Sequence, residues 1–207
     1  PGVFARVRLI LAERPEVLLA WAQTQNPGAW VAHSRTVGRA ARTIAAACGM
    51  DAERCHAMGL LHDVGRYEGP SALRHVIAGY DLMMAKGYPG AALGCLTHSF
   101  PIQRLAAFSG ANDCTAEETG RIEALLAAVQ YDDELRLIQL CDALCLPDRV
   151  TLMERRLMDV ALRHGVDEHS TQKWRAFFDL KKRFDRMCGQ SVYALFAQEI
   201  MADIGLA

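Results

Sequence analysis

The strongest constraint on the fold of this chain is the spacing of its apolar residues, which repeats about every 3.6 positions along nearly the whole sequence. That period places apolar side chains on one face of an α-helix, whereas a half-buried β-strand needs strict alternation. Alternating stretches rich in β-branched residues are absent from the sequence. The sequence therefore predicts an all-α fold.

Glycine, proline and capping residues divide this pattern into about nine or ten helices. Thr115 and Glu118 have the spacing of a capping box, which satisfies free backbone N–H groups where a helix begins. The predicted helices span residues 14–25, 29–48, 52–63, 72–86, 90–99, 116–130, 133–145, 150–163, 170–187 and 192–203. Ser71 is expected to cap the helix over 72–86. With no repeat or flexible linker in the sequence, we expect residues 1–207 to form a single all-α domain.

Composition limits the classes of partner. The chain has 23 Lys and Arg against 24 Asp and Glu, so nucleic acid is not an expected partner because non-specific binding to it needs a basic surface. No apolar run reaches the 18 or so residues of a membrane span, and no membrane partner is expected. The seven cysteines include no Cys-x-x-Cys pair, which indicates reduced thiols and a cytoplasmic protein.

Two carboxylates lie in apolar surroundings. Asp142 shares a helical face with Leu135 and Ile138, at spacings of seven and four residues. Asp63 follows His62 at the end of an apolar helix. Because an isolated buried carboxylate is strongly unfavourable, each of these groups needs a cationic partner or a metal ion. A carboxylate can also bridge two ions through its two oxygens.

Three histidines share helical faces with small or apolar residues. His33 is aligned with Val37, His75 with Gly79, and His98 follows Gly94 by one helical turn. Small neighbours leave space beside an imidazole for something larger than a side chain. We therefore expect these three histidines to point inward.

The order of these residues resembles the HD superfamily of metal-dependent phosphohydrolases. The pattern is an early histidine (His33, within Trp-Val-Ala-His-Ser), a His-Asp doublet within Leu-Leu-His-Asp-Val-Gly-Arg (60–66), and the distant Asp142. The resemblance covers residues 29–146 and implies an HD-type helical domain with additional C-terminal helices. The last 60 or so residues match no family pattern.

The resemblance also implies a site for one or two divalent transition-metal ions. The first ion would be bound by His33, His62, Asp63 and Asp142, and the second by bridging Asp63, His75 and His98. Such a mixed nitrogen and oxygen ligand set suits Fe, Mn, Zn, Co or Ni without selecting among them. A mononuclear site is the alternative if His75 or His98 turns away.

The implied activity is hydrolysis of a phosphate ester of a nucleotide or another small phosphorylated metabolite, through a metal-activated water. Asp63 and Arg66 are the expected catalytic residues. Arg66 occupies the position where related proteins often carry lysine, and a guanidinium can bind phosphate through two hydrogen bonds. Three weaker candidates for phosphate contact are Lys86, Arg104 and Arg149.

Two other functions fit the same residues. Mixed-valent diiron oxygenases of the HD fold use four histidines and two aspartates in this order, although they commonly place a lysine shortly after the last ligand histidine, and residues 99–106 contain none. A non-catalytic metal-binding or sensing module is the second alternative. The Leu- and Met-rich C-terminal helices would permit a homodimer.

Two expectations concern the mouth of the site. Residues 100–114 and the C-terminal helices are expected from their position to close over a pocket. The basic cluster at 154–156 and the histidines His164 and His169 are expected to face solvent.

Overall fold

The computed structural model of the protein describes residues 15–206, and every regular element within that range is a helix. Helix α1 covers residues 15–25, whereas residue 14, its predicted first residue, lies outside the described range. The other α-helices are α2 (Ala29–Ala47), α3 (Ala52–Leu61), α4 (Arg74–Ala85), α5 (Pro89–Thr97), α6 (Ala116–Ala128), α7 (Asp133–Leu144), α8 (Met153–His164), α9 (Ser170–Cys188) and α10 (Ala197–Asp203). The predicted all-α class is confirmed.

Local capping signals place several of these helices where the sequence predicts them. Thr115 and Glu118 form the predicted capping box at the start of α6, and Asp132 accepts a hydrogen bond from a backbone N–H at the start of α7. The predicted cap of α4 was wrong. Leu73 precedes α4, and the carboxylate of Asp113, about 40 residues away, accepts hydrogen bonds from the backbone N–H groups of Ala72 and Arg74.

Two predicted helices are interrupted by 3₁₀ turns. Helix α3 ends at Leu61, two residues early, and a 3₁₀ helix follows at Val64–Glu68. The predicted helix over 192–203 is divided into a 3₁₀ helix at Val192–Phe196 and the short α10. The first interruption matters for function because it leaves His62 and Asp63 at the junction between the two elements.

Helices α2 and α3 cross at very short distance. A Cβ atom added to Gly59 would lie 2.8 Å from the Cα of Gly38, so only glycine at these positions permits this approach. The crossing draws His33 on α2 toward His62 at the end of α3. The main core cluster then joins α2 and α7 to the C-terminal helices, through residues such as Ile44, Leu140 and Phe184.

Asp203 holds the C-terminal end of the chain against the segment before α8. Its carboxylate is 1% exposed and accepts hydrogen bonds from Arg149 Nε at 2.6 Å, Thr151 Oγ1 at 2.5 Å and Arg155 Nη1 at 2.9 Å. Arg149, a weak candidate for phosphate contact, instead pairs with Asp203 and Asp148 and does not line the cavity beside the predicted ligands. No helix within residues 15–206 is long and apolar enough to cross a bilayer.

We expect Asp203→Asn to lower the free energy of unfolding by about 1–3 kcal/mol at pH 7, because charge-assisted hydrogen bonds are lost from a buried group. Burial raises the pKa of Asp203, but Thr151 and the two arginines outweigh it and lower that pKa. The carboxylate's stabilisation is thus present above an unfolded-state pKa of about 3.9 and disappears as the pH falls through the lower folded-state value. Urea unfolding at pH 7 and pH 3 should show the difference between the two proteins shrinking in acid. Equal stability at pH 7 would contradict this role.

Candidate metal centre

Five helices and the turns that follow them bring the six sequence-predicted ligands together. They form two overlapping groups in which the candidate ligand atoms lie within 4.8 Å of one another. The first group is His33, His62 and Asp63, and the second is Asp63, His75 and His98. Asp142 lies against the first group, with Oδ1 2.9 Å from His33 Nε2 and 3.9 Å from His62 Nε2.

Asp63 presents a different oxygen to each group. Its Oδ1 lies 3.1 Å from His75 Nε2 and 3.6 Å from His98 Nε2, whereas Oδ2 lies 4.0 Å from His62 Nε2. All four residues are buried, with no more than 5% of any of them exposed. The geometry is that of a carboxylate placed between two ligand groups.

Backbone carbonyls fix the orientation of three imidazoles. In His62, His75 and His98, Nδ1 contacts the carbonyl oxygen three residues earlier, at 2.7 Å for His62 and 2.8 Å for His98. Because a carbonyl can only accept a hydrogen bond, Nδ1 must carry the proton. A neutral imidazole then presents the lone pair of Nε2, which is how metal-binding histidines are commonly held.

The Nε2 lone pairs of His75 and His98 therefore face each other with no proton between them. His75 Nε2 and His98 Nε2 are 3.2 Å apart, and within residues 15–206 the buried atoms His62 Nε2 and Asp63 Oδ1 have no hydrogen-bond partner. Unpartnered buried acceptors are costly, and a cation among them would satisfy all of them. The donor set and its geometry thus fit one or two transition-metal ions.

The charge states also suit a cation. Burial lowers the pKa of His62 and lowers that of His98 to about 3, so both imidazoles are neutral at pH 7. Burial would raise the pKa of both aspartates, but Arg66 holds that of Asp63 well below its ordinary value, and a hydrogen bond from His33 lowers that of Asp142. Two ionised carboxylates therefore lie beside the neutral imidazoles of His62 and His98.

Arg66 fixes the central carboxylate. Its Nε donates to Asp63 Oδ2 at 2.8 Å and its Nη1 donates to the carbonyl oxygen of Ser71 at 3.0 Å. The side chain is 29% exposed and lines the cavity beside the histidines. Arg66 thus orients Asp63 through hydrogen bonds that the sequence did not predict.

The cavity in front of the cluster has a volume of about 360 Å³. Phe108, Ser109 and Gly110 line part of it, and so do α8 and α9, in agreement with the expectation that these segments close over a pocket. Lys86 and Arg104, the other weak candidates for phosphate contact, are exposed and do not line it.

The prediction that the basic cluster at 154–156 and His164 face solvent was wrong for Arg156 and His164. Arg156, Arg163 and His164 line the cavity, as do Lys173 and Trp174 on α9. A local signal existed, because Arg156, Val160, Arg163 and His164 recur at three- and four-residue intervals and share one face of the helix. An isolated stretch of sequence does not reveal which face of a polar helix meets a site.

A family model described as HD domain matches residues 30–146, which is more than half of the chain. The matched range contains the five residues of the two ligand groups and Asp142, and it ends before α8. No curated protein and no solved structure gave a significant match to the chain.

Proposed function

Since the chain belongs to the HD domain family, we propose that it is a metal-dependent phosphohydrolase acting on a phosphate ester of a nucleotide or another small phosphorylated metabolite. HD domains belong to the superfamily of metal-dependent phosphohydrolases. The observation that carries the proposal is the convergence of buried, unpartnered acceptors on His62 and Asp63 beside the facing Nε2 atoms of His75 and His98.

The proposed ligand assignment follows the two groups. His33, His62, Asp63 and Asp142 would hold one ion, and Asp63, His75 and His98 would hold a second. A divalent ion bound there supplies Lewis acidity, which lowers the pKa of water and stabilises charge on a phosphoryl oxygen.

Residues of the chain hold the metal ligands in position, and one of them is also placed to bind the substrate. Ionised Asp63 is held by Arg66, and the imidazoles are held by backbone carbonyls, so the ligand atoms need little reorganisation. Within residues 15–206, Arg66 uses two of its five N–H groups, on Asp63 and Ser71. We propose that the remaining donors bind an oxygen of the substrate phosphate.

The test is release of inorganic phosphate from a panel of nucleotides, sugar phosphates and other phosphomonoesters. Protein free of contaminating phosphatase is loaded separately with Mn, Fe, Zn, Co or Ni, and each sample is compared with its chelated counterpart. We expect turnover of at least one panel member that disappears on chelation. Bound metal without turnover of any member would contradict the hydrolase proposal and favour the non-catalytic sensing module.

One observation keeps the diiron oxygenase as a second candidate. The sequence lacks a lysine shortly after His98, but Lys173 of α9 lines the cavity and could serve an equivalent role. Electron paramagnetic resonance after partial oxidation separates the two functions. About two irons per chain with a mixed-valent signal, together with oxygen consumption, would favour the oxygenase.

A further inference from the structure

The wall of the cavity that α8 and α9 provide is rich in positive charge. Arg156 and Arg163 line it from α8, and Lys173 lines it from α9. These residues lie beyond the matched range of 30–146, so the family match does not cover them.

Lys173 is a buried cation whose carboxylate partner is partly exposed to solvent. Its side chain is 7% exposed, and Nζ donates to Ser109 Oγ at 2.7 Å. The nearest carboxylate oxygen, Oδ2 of Asp167, lies 3.5 Å away on a side chain that is 44% exposed. An ammonium group has three donors, and the polar contacts described for it within residues 15–206 are the hydrogen bond to Ser109 and the ion pair with Asp167. Because this ion pair is long and its carboxylate is partly solvated, an anionic ligand in the cavity can compensate the buried charge of Lys173 more fully.

The two arginines of α8 share one carboxylate. Arg156 Nη1 and Arg163 Nη2 both donate to Oδ2 of Asp159, at 3.0 and 2.8 Å. Their positive charge is therefore only partly neutralised. The carboxylates that line the cavity itself are Asp63 and Asp142, which the proposed function assigns to metal ions. A cavity with this balance of charge attracts anions.

We propose that the substrate carries a second anionic group, a phosphate or a carboxylate, which Lys173 binds with the support of Arg156 and Arg163. The inference rests on the proposed function for the first anionic group, the phosphate at the ligand cluster. Leu157, Val160 and Trp174 also line the cavity and would contact the carbon skeleton between the two groups. The cavity volume of about 360 Å³ restricts the substrate to a small molecule.

The test uses alkylphosphonates, which have no phosphate ester bond to hydrolyse. Calorimetry on Mn-loaded protein compares chains of three to six carbons that end in a methyl group, a carboxylate or a second phosphonate. We expect the best two-anion compound to bind at least tenfold more tightly than its methyl-terminated partner. In Lys173→Met we expect this preference to fall below threefold, whereas Lys182→Met, an exposed change on the same helix, should retain it.

Lys173 also holds Ser109, so its replacement could disturb the loop or the fold. Arg163→Gln changes a side chain that is 51% exposed, and we expect it to reduce the preference severalfold in a protein with wild-type thermal stability. A preference retained by both Lys173→Met and Arg163→Gln, or absent from the wild type at every chain length, would overturn the inference. Phosphate ester turnover without a two-anion preference would overturn this inference alone. A two-anion preference without turnover would count against the hydrolase proposal alone.

Discussion

Replacing Asp63 with alanine is expected to reduce bound metal to background and to abolish metal-dependent hydrolysis. Asp63 is the residue shared by both ligand groups, with Oδ1 toward His75 and His98 and Oδ2 toward His62. The substitution removes one of the two ionised carboxylates of the site and the residue shared by both ligand groups, so much of the electrostatic attraction for a cation disappears. Elemental analysis after reconstitution and the phosphate-release assay measure the two effects.

The controls separate loss of metal from loss of fold. Asp63→Asn keeps the shape of the side chain and should also bind metal poorly, because an amide supplies a weaker ligand. Asp81→Ala removes a carboxylate from α4 that pairs with Arg121 at the surface, and it should retain full metal content. Full metal content in a folded Asp63→Ala protein would show that the ligand assignment is wrong.

The second large effect is expected at Gly65. A Cβ atom at this position would lie 1.9 Å from the carbonyl oxygen of His75 and 2.4 Å from the backbone nitrogen of Gly79. Both contacts are to backbone, so the turn that follows Asp63 would have to move away from α4. We expect Gly65→Ala to lower the free energy of unfolding by more than about 4 kcal/mol, in the range of severe overpacking.

Denaturant unfolding followed by circular dichroism measures this loss, and metal binding should fall with it because Asp63 and His75 separate. Gly120→Ala is the matched control, since nothing lies within 4 Å of a Cβ at that position in α6. It should leave stability unchanged or raise it by about 0.5–1 kcal/mol, the difference between alanine and glycine in a helix. An unfolding midpoint for Gly65→Ala equal to that of the wild type would contradict the close contact. The clash also gives a physical reason for glycine two residues after the His-Asp doublet.

The sequence predicted those parts of the fold that depend on neighbouring residues. The capping box at Thr115 and the cap at Asp132 act over three residues, so local pattern was sufficient. The cap of α4 comes from Asp113 across the fold, and no local pattern could reveal it. The same limit applies to the end of α3, because the 3₁₀ helix that follows it lies against α4 at Gly65, a contact between separate parts of the chain.

The sequence likewise predicted some residues of the candidate site and missed others. Helical faces and the resemblance to a known family indicated which histidines and aspartates would meet, because those residues lie within the family pattern. Arg156, Arg163 and Lys173 lie outside it, on helices with much exposed polar surface. Lys173 is polar in sequence but buried in the fold, and only the packing of α9 against the loop at Ser109 shows it.

The most direct test of the account is the metal content of the reconstituted wild-type protein, measured by elemental analysis after removal of free ions. The account predicts one or two divalent transition-metal ions per chain, with thermal stability that falls on chelation because the ions bind the folded state. No bound metal after reconstitution with Mn, Fe, Zn, Co or Ni, together with unchanged stability in chelator, would contradict it. The buried acceptors of His62 and Asp63 would then need a different explanation.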